Sequence, residues 1–243
     1  MHQVHKPSGE PASTPRLIPK ADQGETKAKI LDATFRRLAL EGYAALNVRD
    51  IAKDAGVNHA LINYHFRTKD QLVIAVLDEA NRQLLARQQR MYAEPVGFAK
   101  KWAKAREYYE DDLASGFVRV QAELWAASFS DQALREKFLR RILAWKKVVL
   151  GGVQEALASL AATGGKLPKP FTADVIATWI SEFWLGMEFA DLIGATEQQM
   201  QHRAALDAMQ HLLEALDARV ARAKKGTPRA RRRRAAKGGK GRK

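Results

Sequence analysis

The chain of 243 residues contains no cysteine. A disulfide framework, a thiolate zinc site and a cysteine nucleophile are therefore excluded, and a reducing compartment fits. Long apolar runs are missing too. The longest candidate, residues 175–190, is interrupted by Glu182 and Glu188, and a membrane span needs roughly 18 uncharged apolar residues. The first 25 residues hold no apolar run of the kind a secretory leader requires. A soluble, cytoplasmic protein without a membrane partner is expected. Catalytic signatures are equally scarce: there is no HExxH, no nucleophile elbow and no glycine-rich phosphate loop. The six histidines, His2, His5, His59, His65, His202 and His211, are scattered. His202 and His211 lie nine apart on one expected helix, too far round it to share a metal. No enzyme, no metal site and no cofactor are expected.

What is present is a globular composition with an uneven charge. Apolar residues make up 46% and aromatics 8% of the chain, enough for a sizeable core. The net charge is +14, yet residues 226–243 hold nine Lys or Arg and no acid, leaving +5 for everything before them. Such a tail suits a nucleic acid or another polyanion, and equally a solvated extension with no dedicated role. Residues 1–24 hold four of the eight prolines, and both ends read as disordered: an arm over 1–24 and a basic tail over 226–243.

Between these ends the apolar spacing is helical throughout, with no alternating strand pattern and no internal repeat. A first helix is expected from a Thr26 cap to Gly42, with Ile30, Leu31, Thr34, Phe35 and Leu38 on one face. Asn47 can cap a short second helix whose Ile51, Ala52 and Ala55 face inward. Gly56 permits a tight turn, and Asn58 caps a third helix, "HALINYHF", with Ile62 and Phe66 as core partners. Thr68 caps a fourth helix that Pro95 closes. Helix, four-residue turn with glycine, helix is the arrangement that places a second helix in a DNA major groove, and also that of an ordinary corner in a helical bundle.

Residues 26–72 resemble the DNA-binding domain of the TetR family of bacterial transcriptional regulators, through "ILDATFRRLALEGYAALNVRDIAKDAGV" and "INYHFRTKDQL". The resemblance implies an all-α fold with an N-terminal three-helix helix-turn-helix domain over 25–72. The last helix would continue to about residue 93 as a connector, and a helical ligand-binding and dimerisation domain would follow over 95–225. It further implies a homodimeric repressor, released from a palindromic double-stranded operator by a small-molecule effector of unknown identity. Carried over by position, Arg49, His59, Ala60 and Leu61 would meet base edges, and Asn63, Tyr64, His65 and Lys69 would grip phosphates. These residue types fit, since hydroxyl, imidazole and ammonium groups donate to phosphate oxygens while Leu or Ala can rest on a thymine methyl. Asn63 stands where many members carry Tyr, and Leu61 where a small polar residue is frequent. The alternative is an architectural, nucleoid-type DNA-binding protein that works through its basic tail.

The second half reads as five helices, about 98–114, 117–129, 131–162, 172–193 and 197–224, with Asp131 and Thr172 as caps. "AELWAASFSDQALREKF" resembles the branch that includes choline-responsive regulators. Trp102, Tyr109, Trp125, Phe129, Trp145 and Trp184, with Phe138 and Phe183, are candidates for lining an effector pocket, or for ordinary core packing. Glu123 and Glu182 lie among them; a partner within the protein or plain exposure would account for either. The last two helices would pair with their copies across a dimer, with Ala208, Leu212, Ala215 and Leu216 as an apolar stripe and Gly186, Ala190, Ala204 and Ala205 allowing close approach.

Overall fold

The computed structural model describes residues 24–237; among them every regular element is a helix. In chain order these are α1 (Glu25–Glu41), α2 (Val48–Ala55), α3 (His59–Phe66), α4 (Lys69–Ala93) and α5 (Phe98–Ala114). Then follow α6 (Phe117–Ser128), α7 (Gln132–Ala162), α8 (Ala173–Leu192), α9 (Glu197–Met200) and α10 (His202–Lys237).

Local chemistry sets most boundaries. Asn47 accepts from the Arg49 N–H at 2.9 Å and Asn58 from the Ala60 N–H at 2.8 Å, so both short helices start on a side-chain cap. Between them Gly56 takes φ 64°, ψ 35°, the left-handed conformation that glycine adopts without a Cβ penalty. The Thr68 hydroxyl accepts from Gln71 N–H at 3.1 Å, Asp131 from Leu134 N–H at 2.9 Å and Thr172 from Val175 N–H at 3.3 Å.

Three boundaries differ from expectation. α1 starts at Glu25 behind Gly24, so Thr26 is inside the first turn rather than at the cap; the Glu25 carboxylate suits the positive end of the helix dipole. The helix expected over 197–224 is two. Gln201 takes φ 52°, and this kink lets the Glu197 carboxylate accept from Arg203 N–H at 3.0 Å and Ala204 N–H at 3.3 Å, capping α10. The basic segment expected as a disordered tail from 226 is helical backbone as far as Lys237, in keeping with the high helix propensity of Arg and Ala. The expected arm, apart from Gly24, and residues 238–243 lie outside the described residues.

Two compact units emerge. The first combines the chain up to Arg87 with Glu107–Trp145 and Gly186–Gly194; the second combines Gln88–Arg106, Lys146–Leu185 and the chain from Ala195. The helix-turn-helix therefore does not stand alone. Ile30, Phe35, Leu38, Ile51, Ile62 and Phe66 share one buried cluster with Phe117, Val120 and Leu124 of α6 and Leu134 and Phe138 of α7. Arg37 adds a polar clamp between α1 and α2, with Nε on Asp54 at 2.7 Å and Nη1 on Glu41 at 3.1 Å. In the second unit Trp102 and Trp184 pack at 5.3 Å, and Trp102 Nε1 donates to the Leu206 carbonyl at 3.1 Å. Asp217 of α10 accepts from the Phe98 and Ala99 N–H groups, both at 3.0 Å, capping α5 from outside its own sequence.

Candidate nucleic-acid interface and buried polar cluster

α3 has only two turns, and its burial splits cleanly. Ile62 and Phe66 are 2% and 4% exposed and anchor it to the core, whereas His59, Ala60, Leu61, Asn63, Tyr64 and His65 all face solvent. Tyr64 is 80% exposed, so its ring is not packing on the domain edge. Its neighbour His65 lies against it edge-on at 5.2 Å. The Asn63 amide and His59 Nδ1 are 3.4 Å apart, one turn along the helix, which couples an expected phosphate contact to an expected base contact. Arg49 is exposed near the start of α2. Seven of the eight expected DNA-facing side chains thus lie on the outside of α2 and α3.

Lys69 is the exception. Its ammonium is folded onto Tyr43, donating to the Tyr43 carbonyl at 3.2 Å and lying 4.7 Å from the ring centroid. Tyr43 in turn donates from Oη to Asp70 at 3.1 Å, and its N–H donates to Glu123 of α6 at 3.0 Å. Glu123, expected near a pocket, is thus a tether between α6 and the turn after α1; the Gly42 position before it has room for the carboxylate because it has no Cβ. Lys27, which the sequence did not single out, places its ammonium 5.9 Å from the Phe66 ring, beside the end of α3.

Residues 30–76 match the model of the bacterial regulatory proteins of the tetR family. The chain is 30% identical over 141 residues to the HTH-type transcriptional repressor Rv1474c of Mycobacterium tuberculosis, an alignment taking in 51% of this chain and 75% of that protein. The chain belongs to the TetR family. Over a shorter stretch of 74 residues it is 46% identical to the HTH-type transcriptional repressor Rv3405c of Mycobacterium tuberculosis; this covers 30% of the chain and only 39% of that relative's length. A solved structure of similar fold is a transcriptional regulator from Saccharomonospora viridis in complex with choline, at TM-score 0.62 and 20% identity, covering 79% of this chain and 95% of that one. The TetR relatives carry the names of transcriptional regulators and repressors, not of enzymes.

The aromatic residues expected in an effector pocket are divided between the two units of this TetR chain. Trp102 and Trp184 pair in the second unit. Tyr109, Trp125 and Trp145 belong to the first; Trp125 packs 5.6 Å from Phe138 and 4.9 Å from Phe189. Phe129 is 70% exposed. It stands at the C-cap, just past the last residue of α6. Phe183 and Glu182 are exposed as well.

In the first unit a polar cluster is assembled from five helices. Arg141 of α7 donates to Gln121 of α6, and Gln121 Nε2 donates to Glu188 of α8 at 2.7 Å. Arg87 of α4 pairs with Asp112 of α5, and Tyr109 donates to Asp191. Arg141, Asp112 and Gln121 are 6%, 6% and 4% exposed. Burial raises the Glu188 carboxyl to about 7, reinforced by the charge of Asp112, while Arg141 and the Gln121 hydrogen bond oppose the shift. Burial likewise lowers Arg141 to about 10. Among the described residues no group of three or more His, Asp or Glu is placed to hold a metal, and no helix is long and apolar enough to cross a membrane.

A pH dependence follows. Glu188 binds its proton more tightly folded than unfolded, so its contribution to stability is complete below about pH 4.5 and is lost as pH rises to about 7. A shift of this size corresponds to about 3 kcal/mol. Subtracting melting curves of Glu188→Gln from those of the parent between pH 4.5 and 8 should isolate this slope. Parallel curves for the two proteins would remove the assignment.

Proposed function

We propose that this chain is a homodimeric transcriptional repressor that reads a palindromic operator with α3 and is released by a small-molecule effector. The carrying observation is the division of α3 into two anchoring residues, Ile62 and Phe66, and an outward row from His59 to His65. An eight-residue helix held on two apolar pegs behind a left-handed glycine turn suits insertion into a groove about 12 Å wide. His59, Ala60, Leu61 and Arg49 read bases; Asn63, Tyr64 and His65 hold the backbone. Lys69 joins them by virtue of the α4 N-terminus, its remaining ammonium hydrogens turned to phosphate.

The dimer is supported by apolar surface that the chain leaves uncovered. Ala204, Ala205, Ala208, Leu212 and Ala215 are exposed, Leu212 to 63%, and Trp179 of α8 to 57%. A Cβ added at Gly186 would meet nothing within 4 Å. A second copy on α8 and α10 would cover this stripe and set two reading heads one helical turn of DNA, about 34 Å, apart. The effector reading draws support from the choline held by the regulator of similar fold and from the buried polar cluster. α6 connects that cluster to the reading head, since Gln121 belongs to the cluster and Glu123 holds Tyr43, which holds Lys69 and Asp70. A cytoplasmic, nucleoid-associated location goes with this function. The basic segment from 226 adds sequence-independent affinity.

His59→Ala and Tyr64→Phe separate reading from holding. His59→Ala should weaken binding to an operator fragment by about 1–3 kcal/mol for each lost base contact and leave scrambled DNA unaffected. Tyr64→Phe should weaken both duplexes alike. Fluorescence anisotropy at one fixed salt concentration, on a fragment taken from genome-wide footprinting, makes the comparison; equal losses for His59→Ala on both duplexes would refute the assignment of bases.

A further inference from the structure

Arg141 is a buried guanidinium with no directly hydrogen-bonded carboxylate, although the charges of Glu188 and Asp112 favour its cationic form. It is 6% exposed, and among the described residues its one hydrogen bond goes to the neutral Gln121 amide. Its Nε–H has no partner at all. The group lies over the Phe117 and Phe138 rings, 5.4 and 5.3 Å from their centroids, which hold it in place and exclude water. Arg87, in the same cluster, also has an unpartnered Nε, although its other end pairs with Asp112 and its plane lies 4.8 Å from the Tyr108 ring. Keeping a desolvated cation with an idle donor is costly, and a chain that tolerates it has a use for the donor.

The unsatisfied groups of this cluster are donors. Its acceptors are engaged: Glu188 takes the Gln121 amide, Asp112 takes Arg87 and Asp191 takes the Tyr109 hydroxyl. Burial also draws Glu188 toward its neutral form, which weakens the negative charge available to a cationic ligand. From Phe138, which the guanidinium faces, ring contacts run on to Trp125 and from it to Phe189.

We propose that the effector is an apolar monocarboxylate whose carboxylate accepts from the Nε–H of Arg141 and whose body lies on Trp125, Phe138 and Phe189. The assignment rests on the reading of the chain as an effector-released repressor and names the chemical class of that effector. A carboxylate supplies the acceptor that the Arg141 Nε–H lacks, and the low dielectric around the guanidinium strengthens that charge-assisted hydrogen bond.

The test uses the full-length protein without DNA, titrated calorimetrically with octanoate, phenylacetate, their primary amides and choline. At least one carboxylate should bind ten or more times tighter than its amide. Arg141→Lys, which keeps the charge and loses the Nε–H, should abolish that preference, as should Arg141→Met; melting curves report whether each variant is folded. Equal binding of acid and amide, binding of choline alone, binding of nothing, or a folded Arg141→Lys that keeps the preference would each overturn the proposal. Operator anisotropy with the same ligands is a separate arm. A carboxylate that binds through Arg141 but leaves operator affinity unchanged would uphold the site and overturn the effector-release reading.

Discussion

Phe35→Ala should cost the first unit about 3–5 kcal/mol, the usual range when a fully buried phenylalanine leaves a cavity. Phe35 is 1% exposed and belongs to the cluster that joins α1 to α2, α3, α4, α6 and α7. Ile30, Leu31, Leu38 and Ile51 around it are themselves 0–1% exposed, and they belong to elements held by caps and by the Arg37 clamp. Collapse into the void is therefore limited, which places the loss toward the upper end. The tryptophans allow the effect to be located. Trp125 and Trp145 lie in the first unit, whereas Trp102, Trp179 and Trp184 lie in the second. Urea titrations on proteins keeping one set or the other should show the midpoint falling for the first set well before the second. DNA binding should fail with it, because Ile62 and Phe66 rest on the same core. A first-unit midpoint within about 0.5 kcal/mol of the parent, the scatter of surface changes, would show that this core is not what holds α3.

The reading head was legible in the sequence because its determinants are local. Asn47, Gly56, Asn58 and Thr68 act within three residues of themselves, so capping chemistry and one left-handed turn reveal two helices and their junction. Ile62 and Phe66, four apart, likewise declare which side of α3 is inside. The second half was legible as helices but not as a site. Arg87, Asp112, Gln121, Arg141 and Glu188 come from five helices and span 102 positions from first to last, so nothing in their neighbours announces that they meet. Glu188 gave one signal, as one of two acids inside the apolar run from Val175 to Ala190, and there it counted only against a membrane span. The aromatic list named no site by itself for a related reason. Aromatics are common in any core, and Phe129 falls at the C-cap of α6, past the end of the helix. The folding of Lys69 onto Tyr43 was also hidden, since it depends on a contact 26 residues away.

Gln121→Leu is the second large effect, and it tests whether the polar cluster is one cooperative unit. Gln121 is 4% exposed and bridges Arg141 and Glu188, accepting from the first with its carbonyl and donating to the second with its amide. Leucine fills nearly the same volume and offers neither group. It would leave the Arg141 guanidinium with no hydrogen bond among the described residues and Glu188 without its donor, a loss of about 3–5 kcal/mol for stranded buried charge. Part of that loss comes from Arg141 itself, so adding Arg141→Met should recover much of it, as an apolar pair replaces a broken polar one. A double-mutant cycle measured by denaturant unfolding gives the coupling directly. Strictly additive losses would mean that Gln121 and Arg141 act independently. Coupling of more than about 1 kcal/mol would mean that α6 and α7 are joined through this bridge. α6 also carries Glu123, the tether to Tyr43, only two residues along. A helix fixed on one side by the cluster and on the other by the reading head is able to carry a change from the first to the second, provided the bridge holds.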